Sequence, residues 1–207
     1  MTNKKIPRDF YVREDTLQIA RELLGKKIVI PDENGDRVSA KIVECEAYLG
    51  AIDKAAHSYK SRRTKRTETM FGIGGTVYVF FVYGMYFQFN VVVGDVGSPH
   101  AILIRAVEPL ENIECMRERR NAKRKIAGKG MPDKNLTSGP GKLCIALGID
   151  RSYDGADLLG EKVWLENSEA VPDEEISNGK RIGIDYAEEF AEKPWRFWLK
   201  NNIFVSK

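Results

Sequence analysis

Hydrophobic and polar positions follow two different periods along this chain. Residues 16–24 place Leu17, Ala20, Leu23 and Leu24 at the spacing of a helix with one buried face, with Asp15 or Thr16 as cap and Gly25 as stop. From Lys27 the period shortens to that of strands. Lys27–Pro31 and Arg37–Tyr48 flank Asp32-Glu-Asn-Gly-Asp36, whose Asn-Gly pair favours a hairpin turn. Residues 50–70 are polar and loop-like. Thr76–Val82 and Met85–Val93 predict a second hairpin pivoting at Tyr83-Gly84, and Ala101–Val107 predicts a fifth strand. Pro109 suits the first turn of a helix running to about Lys125, followed by a flexible break over Gly128–Asn135. Thr137-Ser-Gly-Pro140 opens a short helix through Ala146. Lys162–Glu166, Lys180–Ile184 and Trp195–Lys200 read as strands. No strand–helix alternation repeats. The pattern therefore predicts an α+β fold: a mixed, largely antiparallel sheet, flanking helices and a protruding β-hairpin.

The 207 residues suit a single domain over 1–207 with a sizeable core. A composition of 43% hydrophobic and 30% charged residues is that of an ordinary globular protein. The net charge of +3 says little about partners, but its distribution says more. Lys60, Arg62, Arg63, Lys65 and Arg66 crowd one stretch. Arg117, Arg119, Arg120, Lys123, Arg124, Lys125 and Lys129 crowd a second, and acids gather between Asp150 and Glu192. Such asymmetry suits one face turned toward a polyanion, although each run also suits a solvated loop or helix. Cys45, Cys115 and Cys144 form neither a metal spacing nor a disulfide framework, so a reducing compartment is expected. The longest apolar run, Val77 to Phe87, is too short for a membrane helix, and the first residues do not resemble a signal peptide.

Chemistry concentrates where the Arg37–Tyr48 strand ends. Glu44 and Glu46 share a parity, so both should face one side, together with Ile42 and Ala40. A carboxylate bordering an apolar face is paired, hydrogen-bonded or used. Either the glutamates meet arginines in a structural ion pair, or they divide the labour of cleaving a glycosidic bond. Arg105 interrupts the apolar strand Ala101–Val107 and needs an anion: Glu44, Glu46 or a phosphate. His57, with no second ligand at metal spacing, reads as a structural histidine or a hydrogen-bonding pocket residue. Most aromatics of the 76–90 hairpin suit a core. Tyr83 at its tip has nothing to pack on and fits a wedge between bases. Gly72-Ile-Gly-Gly75 matches no nucleotide-binding fingerprint and reads as a tight turn.

Several long segments, in one order, resemble the alkyladenine (3-methyladenine) DNA glycosylase family, the type first described from mammals and also found in bacteria. They are Ile42-Val-Glu-Cys-Glu-Ala-Tyr-Leu-Gly50, Ala55-Ala-His-Ser58, Gly75–Phe87 with Asn90, Leu103-Ile-Arg-Ala-Val-Glu-Pro109, Ser138-Gly-Pro-Gly-Lys-Leu-Cys144, Arg181-Ile-Gly-Ile184 and Lys193-Pro-Trp-Arg-Phe197. The resemblance implies a fold similar to the C-terminal domain of a formyltransferase. It implies that Glu46 is the general base preparing a water, and that Arg105 and the main-chain carbonyl of Ile182 hold that water. Tyr48 would stack on the flipped base and His57 would contact it. Asn90 would reject guanine by crowding its amino group, and Tyr83 would enter the minor groove in place of the flipped nucleotide. Phe80 departs from members with tyrosine there: the ring wall survives, but a contact through a phenol oxygen is lost.

The implied partner is double-stranded DNA containing a damaged purine: 3-methyladenine, 7-methylguanine, hypoxanthine or ethenoadenine. No lysine falls at a position used as a nucleophile, so a monofunctional, monomeric enzyme of base excision repair is expected. No metal or other cofactor and no membrane is implied, and the expected place of action is the bacterial cytoplasm. Two rivals remain at this point: a non-catalytic nucleic-acid-binding module of the same fold, and a glycosidase of free nucleosides.

Overall fold

The computed structural model describes residues 5–123 and 131–206. The elements in order are α1 (Arg8–Tyr11), α2 (Thr16–Leu23), β1 (Lys27–Pro31), β2 (Arg37–Tyr48), β3 (Val77–Val82), β4 (Tyr86–Val93), β5 (His100–Glu111), α3 (Ile113–Ala122), α4 (Pro140–Leu147), β6 (Trp164–Glu166), β7 (Ile176–Gly179) and β8 (Arg196–Leu199). The fold is α+β. One sheet runs β3-β4-β5-β2-β1-β6, and β8 joins β2 and pairs with β7. Every pairing between these strands is antiparallel, more uniform than the mixed sheet expected.

β2 organises the sheet. Its first half pairs with β1, and its residues Glu44–Glu46 pair with β8 on one edge and β5 on the other. The two glutamates are thus held by backbone on both sides, and rigid strands position side chains better than loops do. Register shifts in the β2–β5 ladder lie between Ser39 and Ala40, Ile42 and Glu44, and Glu44 and Cys45. A bulge adds a residue and breaks the period of two. Accordingly Ala40 and Ile42 join Val43 and Cys45 in the main core rather than sharing a face with the glutamates. The Cys45 thiol donates to the carbonyl of Ala20 in α2, so this part of the strand presents its apolar side to that helix. Asp15 caps α2 by accepting from Gln18 N at 2.9 Å, as the sequence predicted.

Three expectations change. Pro109 does not start a helix: it continues β5 opposite Ala40, next to a register shift, where a residue without an N–H is tolerated. The helix begins four residues later at Ile113, behind Asn112 with φ 55°. Its expected end near Lys125, and Arg124, Lys125, Lys129 and Gly128 with them, lie outside the described residues. The strand expected at Lys180–Ile184 lies earlier, at Ile176–Gly179. Residues 180–184 leave the sheet because Arg181 turns inward to a buried carboxylate and Gly183 adopts φ 77°. The polar stretch 50–70 is not formless: it carries short 3₁₀ turns at Gly50–Ile52, Tyr59–Ser61 and Glu68–Phe71.

The β3–β4 hairpin extends from the sheet and is braced near its tip. Gly141, in the first turn of α4, lies so close to the Tyr86 ring that a Cβ there would meet it at 2.8 Å. Beyond that brace Tyr83 and Met85 remain exposed, and Phe81, one pair before it, is exposed too.

Candidate active site

Glu46 is fully buried, and two hydrogen-bond donors and one cation converge on it. The Ile182 N–H donates to Oε1 at 2.7 Å, the Arg105 guanidinium approaches the same oxygen at 3.2 Å, and the Tyr48 hydroxyl donates to Oε2 at 2.8 Å. A carboxylate offers about four acceptor sites. The convergence orients the group and leaves acceptor capacity uncommitted. Burial and then the Glu46 charge push the Tyr48 hydroxyl well above its usual pKa, so it stays a donor.

Glu44 has a different environment. Its Oε1 accepts from Arg105 Nε at 2.9 Å, Arg196 Nε at 2.7 Å and Ser206 Oγ at 2.8 Å, and its Oε2 accepts from Ser206 N at 2.6 Å. Arg105 therefore bridges both glutamates, the ion-pair partners its sequence position required. Burial opposes its charge, but Glu46 and Glu44 outweigh burial and hold its pKa above the ordinary value.

In front of this network is a cavity lined by Tyr48, His57, Phe80, Asn90, Arg105 and Ile182, with Tyr83 at its mouth. The fold thus gathers seven of the eight residues named from sequence around one cavity. Glu46 is one layer behind, touching the lining through Tyr48, Arg105 and Ile182. Its register partners on β5 and β8 fix that depth.

The walls are aromatic. His57 meets Phe80 edge-on, with centroids 4.6 Å apart at 79°. Its Nδ1 lies 3.0 Å from the Tyr78 hydroxyl, and its Nε2 lies 3.2 Å from an Arg66 nitrogen. Guanidinium only donates, so Nε2 accepts and Nδ1 carries the proton toward Tyr78. Burial, then the charges of Arg66 and Arg62, lower the His57 pKa to about 4. The unfolded chain takes up that proton near 6.5, so between 6.5 and about 4 the unfolded state binds more protons. Stability should fall as pH drops through this window. His100 shifts in the same direction through burial. Melting of the His57→Gln variant should therefore show a shallower loss between pH 7 and 5 than the parent. An equal slope would mean that His57 protonates freely in the folded state.

Asn90 is 3% exposed and donates through Nδ2 to the carbonyls of Tyr78, at 3.1 Å, and Gln88, at 3.3 Å. Its amide is held rigidly against the cavity by two strands. Tyr83 is 79% exposed at φ 54°.

Several contributors carried no individual signal in the sequence. Arg181 is buried and paired with Asp53 through both carboxylate oxygens, and it also donates to the carbonyl of Ala47. Its guanidinium is 4.7 Å from the Tyr48 ring centre and 5.0 Å from that of Trp195, so it backs the pocket wall. Arg66 lies within a basic run that suited either a polyanion-facing stretch or a solvated loop, yet it reaches His57 and the Phe80 ring, 5.1 Å away. Tyr186 borders the mouth near Tyr83. Other members of the basic runs are engaged within the protein: Arg63 with Glu68, and Arg117 with Glu114 and Asp133.

Residues 9–203 match the model of the methylpurine-DNA glycosylase family. A protein of Alkaliphilus oremlandii named "Putative 3-methyladenine DNA glycosylase" is 49% identical over 203 residues, covering 98% of this chain and 99% of that protein. Proteins with the same name from Desulfitobacterium hafniense and Bacillus cytotoxicus are each 49% identical, over 205 and 211 residues; this chain is covered to 98% in both cases and they to 98% and 100%.

Proposed function

This chain belongs to the methylpurine-DNA glycosylase family, and from that premise we propose that it excises 3-methyladenine, 7-methylguanine, hypoxanthine and ethenoadenine from duplex DNA by hydrolysing the N-glycosidic bond of a flipped nucleotide. The observation that carries this reading is the buried Glu46, oriented by two hydrogen bonds and the Arg105 guanidinium directly behind an aromatic-walled cavity. Residues 1–207 act as one glycosylase domain and as a monomer. No helix among the described residues is long and apolar enough to cross a membrane, and the proposed place of action is chromosomal DNA in a bacterial cytoplasm.

The damaged base enters between Tyr48 on one side and His57 and Phe80 on the other. Its neighbour across the cavity is Asn90, whose anchored amide crowds guanine's amino group and so disfavours unmodified guanine, while the positive charge that makes 7-methylguanine a good leaving group offsets the crowding. Glu46 takes a proton from a water held by Arg105 and the carbonyl of Ile182, and that water attacks the anomeric carbon. The sugar gathers positive charge as the C–N bond breaks, and the carboxylate stabilises it. A methylated cationic purine leaves readily. A neutral one leaves with hydrogen-bonding help, and His57, kept neutral, adds no positive charge that would repel a cationic base. Without a lysine nucleophile, the product is an abasic site in an uncut strand.

Duplexes with one lesion each, assayed beside the free nucleosides, test the proposal. Base release from the duplexes, strand cleavage only after alkali, and negligible nucleoside turnover are expected. Equal turnover of free nucleosides would identify a nucleosidase, and lesion binding without release a non-catalytic module.

A further inference from the structure

We propose that Ser206 is a positioning residue for base release, acting through Glu44 and Arg105 on Glu46; this rests on Glu46 being the general base. Ser206 lies past residue 203, where the family match ends. Its backbone N–H and its hydroxyl supply two of the four donors on Glu44, and its Oγ also lies 3.4 Å from Arg105. Arg196 donates to its carbonyl at 3.1 Å, while Phe204 and Val205 pack on the core. Asn202 ties the same segment to Glu108 of β5 at 2.8 Å. The segment is thus pinned at several points, and its one half-buried serine is aimed at the charge network.

The chain of contacts runs Ser206–Glu44–Arg105–Glu46. Glu44 holds Arg105 by Nε, which points another nitrogen of the same planar guanidinium at Glu46. With both Ser206 donors removed, Glu44 keeps only the arginines as partners. Arg105 is then drawn toward Glu44 and away from Glu46. An opposite charge nearby favours the ionised carboxylate, so drawing it away from Glu46 weakens the support of the base. The water, held by the same guanidinium, is displaced as well, and misplacement by an ångström can cost about a hundredfold in rate.

Single-turnover base release measured across pH tests this. Ser206→Pro removes both donors, Ser206→Ala the hydroxyl alone, and Ser206→Thr keeps both. The expected series is a loss of roughly tenfold for the proline variant, within that hundredfold ceiling, a smaller loss for alanine, and parental behaviour for threonine. The acid limb of the rate profile should move to higher pH in the same order. A purely structural role would lower the melting temperature and leave the profile unshifted, and that result would overturn the proposal. If the proline variant folds poorly, the alanine–threonine pair carries the comparison. Should Glu46→Gln remain active, the reading of Glu46 fails first. An inactive Glu46→Gln beside an unshifted Ser206 series overturns the Ser206 role alone.

Discussion

Glu46→Gln is expected to lower single-turnover base release by about 10²–10⁴-fold, the usual range for a lost general base, and by more where the carboxylate also stabilises the oxocarbenium-like sugar. The substitution is a clean one in this site. Glutamine keeps the shape, and its amide oxygen still accepts from Ile182 N, where the carboxylate Oε1 accepts now, beside the Arg105 guanidinium. The tyrosine hydroxyl on the other oxygen rotates to accept instead of donate. Arg105 retains Glu44 as counter-charge, so no isolated buried charge results. Lesion binding should therefore persist while chemistry stops. Alanine would be a poorer test, since it leaves the Ile182 N–H and the Tyr48 hydroxyl without their acceptor in a buried place. Near-parental release by Glu46→Gln would move the role elsewhere. Glu44 is a weak substitute, because four donors already hold it, two of them from arginines, and it does not line the cavity.

How much of this was legible in the sequence depends on the distance over which a contact is made. The β1–β2 hairpin and the helix Thr16–Leu23 matched expectation because Asn-Gly, Asp15 and the apolar period are local signals. Pro109 misled for a local reason of its own. Its fixed φ suits a helix start and an edge or bulge in a strand equally well, and only the register of β2 decides between them. The Lys180–Ile184 segment alternates like a strand, but the long-range pair of Arg181 with Asp53, 128 residues apart, draws it out of the sheet. Contacts at such separation leave no trace in period or composition. The same holds for the site. Glu46, Arg105 and Tyr83 stood out because each broke a local rule: an acid on an apolar strand, a cation within another, an aromatic at a tip. Arg181, Ser206 and Tyr186 broke none. The single-sided face assigned to Ala40, Ile42, Glu44 and Glu46 failed because parity does not survive the bulges.

Tyr83→Ala should weaken lesion capture without harming the protein. A tyrosine at φ 54° stands in a backbone region that is costly for a bulky residue, roughly 1–3 kcal/mol. Its ring, 79% exposed, gains little packing to offset that cost. Strain kept at an exposed aromatic points to a task outside the fold, and a flipped nucleotide leaves a gap in the base stack that this ring fits. Stacking on an aromatic is worth roughly 1–3 kcal/mol by alanine substitution, so the flipping equilibrium should fall about tenfold or more. The loss should be smaller where the lesion lies in a mismatched pair, which is already easier to open. Alanine has a Cβ and bears the same positive-φ penalty, so the melting temperature should hardly change. Tyr83→Gly sharpens the contrast: glycine relieves the strain, so this variant should melt no lower than the parent and still lose capture. Stopped-flow fluorescence of an ethenoadenine duplex reads the flipping amplitude, and thermal melting reads stability. A sharp drop in melting temperature with an unchanged amplitude would make Tyr83 a support of the hairpin and end the wedge assignment.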